Sequence, residues 1–342
     1  MFHSIFRFIV TMVRPDTPLR VAVFLMVGAA AASFLGCDLL VSRKNQHLPF
    51  KPAALELPAY SPPLRVVVLG DFGRGGDGQR DVAAAIAKVH AERPLHLGIT
   101  VGDNFYEHGV SSVNDKKWQS RWEEPYASLG IPFYPSLGNH DYYGSVQAQL
   151  DYVSPSKTWR FPARQYSLNS SLVELIAIDT MDPSPEQFEW LKERIAESHA
   201  KWLIVYGHHP IYSAGYHGDN KALESTLFPL LRGRVPLYVA GHDHDLQYLK
   251  PIDGTHLVIS GGGGAKLRQL KPDPRAIFAR TVYGFTTLEI SPERIRVEMY
   301  DSKANRIFNT DIPASESLSR HRLDGEAETV PSAAELQGVP GN

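Results

Sequence analysis

Five short apolar runs in this chain are each followed at once by glycine and by residues that commonly bind metal ions. The five segments read VVLGD, VGDNFY, GNHD, YGHHP and GHDH, and they begin at residues 67, 101, 138, 206 and 241. Runs of this length and composition predict buried β-strands, which place the polar residues at the carboxyl ends of the strands. Because ligands bind at that edge of an open α/β sheet, we expect these side chains to converge on one site.

The side chains collected in this way are carboxylates, imidazoles, one amide and one phenol. They are Asp71, Asp103, Tyr106, Asn139, His140, His208, His242 and His244. Oxygen and imidazole donors without a thiolate favour iron, manganese, zinc or magnesium over softer metals. The pattern therefore predicts a metal site, and the number of donors indicates two metal ions.

The order of the five segments resembles that of the metallophosphoesterase superfamily, and specifically its purple acid phosphatase branch. The stretches GDNFYEHGVSSVNDKKWQ and GHDHDLQYL are similar to the small, tartrate-resistant type within that branch, and the similarity runs from about residue 64 to about residue 311. It implies a metal-dependent acid phosphatase that hydrolyses small phosphate monoesters by in-line attack of a metal-bound hydroxide. Two alternatives remain open, which are a phosphodiesterase or nucleotide hydrolase on the same site and a metal-bearing binding module without turnover.

The resemblance also divides the ligands between two metal ions. The first ion is expected to bind Asp71, Asp103, Tyr106 and His244. The second is expected to bind Asp103, Asn139, His208 and His242, with Asp103 bridging. A tyrosine, whose reference pKa is about 10, is ionised at acidic pH only by a strong Lewis acid. We therefore expect Fe³⁺ in the first site and Fe²⁺, Zn²⁺ or Mn²⁺ in the second.

Two further histidines are expected to contact the substrate. His140 follows Asn139 directly, and Asp141 is placed to orient it, as a general acid requires. His217 lies between Gly215 and Gly218, where the resembling family has a second histidine that contacts substrate. We expect His140 and His217 to bind the phosphate and to supply a proton to the leaving group, with Asp141 in support.

A glycine-rich segment at residues 73–78 suggests a different function. It reads GRGGDG and matches the G-x-G-x-x-G pattern of dinucleotide-binding enzymes, after a strand and before a helix. In that reading, however, the charge of Asp71 would repel a pyrophosphate, and the four later segments would have no role. The chain also lacks the G-x-S-x-G and G-x-x-x-x-G-K patterns, so no covalent serine mechanism or phosphate-binding loop is predicted.

The order of predicted elements favours an α/β fold. A strand at residues 64–69, a helix at 79–92 and a strand at 96–101 form a β-α-β unit with parallel pairing. Further strands are predicted at residues 133–137, 173–178, 202–206, 235–240 and 257–260, with a late hairpin at 284–300. Two mixed sheets packed face to face with helices outside are expected. This agrees with the four-layer αββα sandwich, the calcineurin-like metallophosphoesterase fold, that the resemblance implies.

Two helices between these strands carry recognisable signals. Residues 114–128 predict a helix in which Trp118, Trp122 and Tyr126 are spaced four apart, and we expect that stripe to pack in the core. Residues 184–187 read SPEQ, in which a serine caps a helix, proline follows at its first position and glutamine lies three residues on.

The first forty residues predict export. Arg14 and Arg20 precede an uncharged apolar run at residues 21–37, which suits a signal peptide. The run ends in SFLGC, which resembles the processing box of bacterial lipoproteins, with Cys37 as the residue that would be lipidated. We expect a periplasmic or cell-surface protein tethered to a membrane by its N-terminus. An uncleaved anchor or plain secretion is the alternative.

Four regions are expected along the chain. Residues 1–40 are the signal peptide or lipoprotein anchor, residues 41–63 a proline-rich spacer, residues 64–312 the catalytic domain, and residues 313–342 a disordered tail. The formal net charge of −2 gives no electrostatic case for binding nucleic acid. The single cysteine excludes an intrachain disulfide. No protein partner is predicted.

Overall fold

The computed structural model describes Asn45 and residues 48–314. Contacts divide the chain after Pro49, and in the first unit the amide of Leu48 donates to the carbonyl of Asn45 at 3.4 Å. All that follows concerns the second unit, which begins at Phe50. The predictions for residues 1–40, including Cys37, and for the tail after residue 314 lie outside the described residues. Within the described part of the chain, no helix is both long and apolar enough to cross a membrane.

One sheet has six strands and is mixed. Across the sheet the strands are β14 (Arg306–Pro313), β13 (Arg294–Asp301), β12 (Gly284–Ile290), β2 (Leu64–Leu69), β3 (Leu97–Val101) and β4 (Phe133–Ser136). Strands β2, β3 and β4 are parallel, whereas β12, β13 and β14 pair antiparallel. The predicted β-α-β unit and the late hairpin are therefore both present.

The second sheet has eight strands and is also mixed. Its strands are, in order, β1 (Ala53–Glu56), β5 (Tyr166–Asn169), β6 (Val173–Ala177), β7 (Trp202–Tyr206), β8 (Leu237–Ala240), β10 (Thr255–Ser260), β9 (Leu246–Ile252) and β11 (Ala276–Arg280). Strands β6, β7, β8 and β10 are parallel neighbours. They are buried on both faces, which explains their continuous apolar composition.

The two sheets pack against each other through their apolar faces and a few hydrogen bonds. Tyr206 on β7 donates to the carbonyl of Tyr134 on β4 at 3.3 Å. Ser260 at the end of β10 donates to the carbonyl of Val68 on β2 at 3.2 Å. These contacts bring the carboxyl ends of the parallel strands of both sheets to the same region.

Helices cover the sheets and are mostly short. They are α1 (Asp77–Glu92), α2 (Lys116–Trp118), α3 (Glu124–Tyr126), α4 (Asn139–Tyr142), α5 (Val146–Asp151), α6 (Pro185–Glu197), α7 (Lys221–Thr226) and α8 (Phe228–Leu231). Val82, Ile86 and Val89 lie on the buried face of α1, at the spacing that a helix requires. Helix α6 begins as predicted, because the Ser184 side chain accepts from the amide of Gln187 and Pro185 occupies the first turn.

The predicted helix at residues 114–128 is irregular in the structure. A five-residue π-helical turn, Gln119–Glu123, separates α2 from α3. Trp118, Trp122 and Tyr126 are buried, as predicted. They support the loops that follow β2 and β3, because the Phe72 ring lies 5.5 Å from Tyr126 and the Phe105 ring lies 4.6 Å from Trp118.

The spacer predicted for residues 41–63 differs from the structure at residues 53–56. These residues form β1, an edge strand paired in parallel with β5, and Leu57 after it is buried. Proline content led to the prediction of an extended spacer, but Pro52 and Pro58 lie just outside the strand, where no sheet hydrogen bond is lost. Part of this segment therefore belongs to the folded domain.

Candidate metal centre

The strand ends bring the predicted residues to one place. Asp71 and Asp103 each lie two residues beyond β2 and β3, and His208 and His242 each lie two residues beyond β7 and β8. Glycine precedes each of them because a side chain would not fit. A Cβ on Gly102, for example, would lie 2.6 Å from the His208 ring.

Three of these residues have left-handed backbone conformations. The φ angles are +57° at Asp71, +50° at Asp103 and +69° at His242. Such angles are costly for residues other than glycine and are tolerated where the surroundings fix them, which is common at functional sites. The strand ends are thus turned sharply so that the side chains point into one cluster.

A first group of four donors gathers around the phenol of Tyr106. Its oxygen lies 3.0 Å from Oδ1 of Asp71, 2.8 Å from Oδ2 of Asp103 and 3.1 Å from Nε2 of His244. Nε2 of His244 is in turn 3.5 Å from Oδ1 of Asp71. These are the four residues that the family resemblance assigns to the first metal ion.

A second group gathers around His208. Its Nε2 lies 3.2 Å from Oδ1 of Asn139, 3.2 Å from Nδ1 of His242 and 3.5 Å from Oδ2 of Asp103. These are the four residues assigned to the second metal ion. Asp103 belongs to both groups, as a bridging carboxylate must.

Backbone carbonyls fix the tautomers of two of the histidines. Nδ1 of His208 lies 2.8 Å from the carbonyl oxygen of Val101, and Nδ1 of His244 lies 2.7 Å from that of Lys266. A carbonyl only accepts hydrogen bonds, so both Nδ1 atoms carry the proton. The lone pair on Nε2 of each ring then faces the cluster, which is the arrangement of a histidine that binds a metal.

The donor set fits two metal ions. Atoms bound to one ion at about 2.0–2.2 Å lie roughly 3 Å apart, and the spacings within both groups agree with this. Asp71 and Asp103 are buried, and among the described residues their ion-pair partners are the histidines alone, without lysine or arginine. Two buried carboxylates this close together require a compensating cation, which metal ions would supply.

The electrostatics at Tyr106 also indicate a bound cation. Burial, together with the charges of Asp71 and Asp103, raises the pKa of Tyr106 well above its usual value. The phenol therefore keeps its proton unless a strongly charged cation replaces it.

The structure contradicts the predicted role of Asp141. Its carboxylate accepts from the backbone amides of Asn104 and Gly138 and from the side chain of Gln149, at 2.9–3.1 Å, and it does not contact the His140 ring. Nδ1 of His140 instead donates to the carbonyl of Glu107 at 2.6 Å. Asp141 is the third residue of α4, and from this position its carboxylate accepts from the amide of Gly138, the residue before the helix. It connects two metal-site loops and does not orient His140.

His217 lies beside the second group of donors, the one around His208. Its ring centroid lies 4.0 Å from that of His242, a candidate ligand of the second ion. Its backbone amide donates to Oδ1 of Asp243 at 2.9 Å, and its Nε2 accepts from the guanidinium of Arg268. His140 lies at the first-ion side, where its ring is 4.4 Å from that of Tyr106. The two predicted substrate histidines therefore flank the metal centre.

Three residues at the site were not predicted. His209 offers a nitrogen within 4.8 Å of ligand atoms of His208 and His242, and burial lowers its pKa to about 3. Asp243 anchors the His217 loop, and Arg268 contacts the His217 ring. His209 and Asp243 lie inside segments already singled out, but Arg268 comes from a segment with no motif.

The glycine-rich segment at residues 73–78 packs against the Asp103 loop. A Cβ on Gly73 would lie 1.7 Å from the carbonyl of Asn104, and the Tyr106 amide donates to the Gly73 carbonyl at 2.9 Å. Close approach of the two loops explains this glycine without a dinucleotide.

Comparison with known proteins agrees with this geometry. Residues 64–246 match the family described as calcineurin-like phosphoesterase. Tartrate-resistant acid phosphatase type 5 of Oryctolagus cuniculus is 31% identical over 320 residues, which cover 80% of this chain and 97% of that protein. Purple acid phosphatase 3 of Arabidopsis thaliana is 34% identical over 270 residues, which cover 69% of this chain and 74% of the Arabidopsis protein.

Two solved structures have the same fold. GAP50 of Plasmodium, described as the anchor in the inner membrane complex, superposes with a TM-score of 0.69 at 25% identity. The superposition covers 76% of this chain and 92% of the GAP50 chain. Purple acid phosphatase PPD1 from yellow lupin superposes with a TM-score of 0.62 at 18% identity. The superposition covers 75% of this chain and 55% of the lupin protein.

Proposed function

The chain belongs to the calcineurin-like phosphoesterase family and is a metal-dependent acid phosphatase of the purple acid phosphatase type. From this premise we propose that it hydrolyses phosphate monoesters by in-line attack of water on the phosphorus atom, with the ester held at a two-metal centre. The observation that carries the proposal is the position of Asp103. Its Oδ2 lies 2.8 Å from the Tyr106 phenol and 3.5 Å from Nε2 of His208, so it joins the two donor groups.

The proposed metal content follows from the donors. The group around Tyr106 offers two carboxylates and a phenol, which suit Fe³⁺. The group around His208 shares one of those carboxylates and otherwise offers neutral donors, which suit Fe²⁺, Zn²⁺ or Mn²⁺. When bound, the two ions would activate water at acidic pH and neutralise charge on the phosphoryl oxygens.

The two flanking histidines have different roles in this proposal. Nδ1 of His140 donates to the Glu107 carbonyl, which leaves Nε2 as the atom that takes up a proton and gives it to the leaving oxygen. Nε2 of His217 already accepts from Arg268, so His217 serves in binding the phosphoryl group. The backbone amide of His140 donates to Oδ1 of Asp103 at 2.8 Å, which holds the proton donor next to the bridging carboxylate.

The proposal is tested by comparing 4-nitrophenyl phosphate with bis(4-nitrophenyl) phosphate across acidic and neutral pH, after loading the protein with iron and a divalent metal. We expect faster turnover of the monoester, with an acidic optimum. Asp103→Asn should lower kcat/KM at least about 100-fold. Asp253→Asn is the matched control, because Asp253 is exposed and also has a positive φ, +46°. A preference for the diester would favour a phosphodiesterase.

The alternative of a binding module has one observation in its favour. GAP50, with a TM-score of 0.69, is described as an anchor. In this chain all seven candidate metal ligands are present and gathered, which favours an enzyme. A protein that binds two metal ions but turns over neither ester would reverse that preference.

We also propose that the enzyme is exported and tethered to a membrane through Cys37. The support is the apolar run at residues 21–37 and the SFLGC box that ends it. Cys37→Ser should move the full-length protein from the membrane fraction to the soluble fraction after expression in a bacterium. An unchanged distribution would exclude lipidation as the tether.

A further inference from the structure

We propose that the rim beside His217 selects phosphate esters whose leaving group carries its own negative charge. The rim consists of Tyr216, Arg268 and Lys271. This inference rests on the proposed phosphatase function and adds a class of substrate to it. The chemistry of hydrolysis is unchanged: water adds its oxygen to phosphorus, the P–O bond to the leaving group breaks, and a proton goes to the leaving oxygen.

The two cations of the rim converge on the loop that carries His217. The guanidinium of Arg268 donates to Nε2 of His217 and lies 5.3 Å from the centre of the Tyr216 ring. Nζ of Lys271 donates to the carbonyl of Tyr216 at 2.7 Å and lies 6.0 Å from the same ring. The rim is therefore next to the histidine that is proposed to bind the phosphoryl group.

Neither cation is neutralised by a carboxylate in the described part of the chain. Arg275, further along the same segment, forms ion pairs with Asp219 at 2.8 Å and with Asp273. Among the described residues no such pair involves Arg268 or Lys271. The carboxylate of Asp243, which accepts from the His217 amide, is buried and also accepts from the Ser213 hydroxyl. Two uncompensated cations at the mouth of a site attract anions.

Exposed tyrosine rings lie next to both proposed substrate histidines. Among the described residues, the exposed large hydrophobic side chains are Tyr143, Tyr216 and Ile277. Tyr216 packs beside His217, with ring centres 5.2 Å apart, and Tyr143 packs beside His140 at 5.6 Å. Each proposed substrate histidine thus has an exposed tyrosine next to it. Rings in these places suit an organic leaving group, and Arg268 and Lys271 both lie on the His217 side.

The charge and the position together define the ligand. A phosphoryl group held at the metal centre between the two histidines would leave its ester substituent near one of the two rims. On the His217 side that substituent would meet a guanidinium and an ammonium, which bind carboxylate or phosphate. A neutral substituent would gain little there.

The test compares phenyl phosphate with 4-carboxyphenyl phosphate, two monoesters that differ by one remote charge. The measured quantity is the ratio of kcat/KM for the carboxylated ester to kcat/KM for the neutral ester. Dividing by the neutral ester removes effects on the metal centre that both substrates share, and comparing ratios between variants removes the difference in intrinsic reactivity. The variants are Lys271→Gln and Arg268→Gln, with Arg268→Lys to retain the charge. Lys303→Gln, at an exposed turn distant in the chain, is the matched control.

We expect each neutral variant to lower the ratio roughly two- to five-fold, the size of one exposed charge interaction at a protein surface. Arg268→Lys should restore most of it, Lys303→Gln should leave it unchanged, and raising the salt concentration should lower the wild-type ratio. A ratio that is the same in the wild type and all variants, with both esters still hydrolysed, would overturn the rim inference alone. No hydrolysis of either ester by the metal-loaded wild type would overturn the proposed function and this inference with it.

Discussion

The phenol oxygen of Tyr106 lies 2.8 Å from Oδ2 of Asp103, three residues before it in the chain. One loop therefore supplies both the carboxylate that the two donor groups share and the phenol that only the first group contains. The loop is held from outside, because the guanidinium of Arg121 donates to the carbonyl of Tyr106 and, at 2.9 Å, to that of Gly73. The position of the phenol is thus set by contacts that do not involve a metal.

Replacing Tyr106 should change the colour of the iron-loaded protein. An Fe³⁺–phenolate bond absorbs visible light, and Tyr106 is the phenol within 3.1 Å of the other donors of its group. We expect Tyr106→Phe to abolish the visible band while iron stays bound through the three remaining ligands. Tyr143→Phe is the matched control, since Tyr143 lies near His140 but is exposed. An unchanged band in Tyr106→Phe, measured at equal iron content, would assign the colour to another residue.

Removal of single ligands should separate the two metal ions. His244→Ala should lose the ion bound near Tyr106, and His242→Ala should lose the one bound near His208. Asp103→Asn should lose both, because its carboxylate belongs to both groups. Metal content per chain, measured by atomic emission after gel filtration, gives the stoichiometry. Loss of both ions in every variant would mean that the two ions bind only as a pair, contrary to this prediction.

Asp141→Ala should lower stability because the Asp141 carboxylate connects two loops. The substitution leaves the buried amides of Asn104 and Gly138 without their acceptor, and we expect a loss of about 2–4 kcal/mol in the free energy of unfolding. Urea denaturation of the metal-free protein measures it. Asp151→Ala, at the exposed end of α5, is the control and should change stability by less than about 0.5 kcal/mol. Unchanged stability combined with a lower kcat would restore the predicted role in orienting His140.

The sequence predicted the gathering of the metal-site residues because that gathering depends on local features. Parallel strands end at one edge of a sheet, and Asp71, Asp103, His208 and His242 all follow such ends by two residues. The division into two groups was implied by the family resemblance, and the structure brings the same residues together.

The parts that could not be predicted depend on contacts between distant segments. Strand β1 forms because residues 53–56 find an open edge at β5, more than a hundred positions away in the sequence. Asp141 was given the wrong role because adjacency to His140 in sequence says nothing about where its carboxylate points. Arg268 carries no motif and reaches His217 only through the fold.

Glu298→Gln should destabilise the protein at neutral pH and much less at acidic pH. The Glu298 side chain is 1% exposed and accepts from Arg306 at 2.7 Å, from Tyr300 at 3.0 Å and from Arg93. Burial raises its pKa, but the hydrogen bonds from Arg93, Arg306 and Tyr300 together outweigh burial, so the pKa is lowered. Stability from a carboxylate with a lowered pKa is present above the unfolded-state pKa of about 4.3 and is lost as the pH falls through the folded-state value.

The glutamine variant should therefore lose about 2 kcal/mol at pH 7, the value of hydrogen bonds to a charged group, and the difference from the wild type should shrink as the pH falls below about 4. Urea unfolding of both metal-free proteins at a series of pH values measures this difference. Glu293→Gln, in the exposed turn between β12 and β13, should show no such dependence on pH. If the loss in Glu298→Gln were equally large at pH 7 and at the lowest pH, it would come from packing, and the charge of Glu298 would contribute nothing to stability.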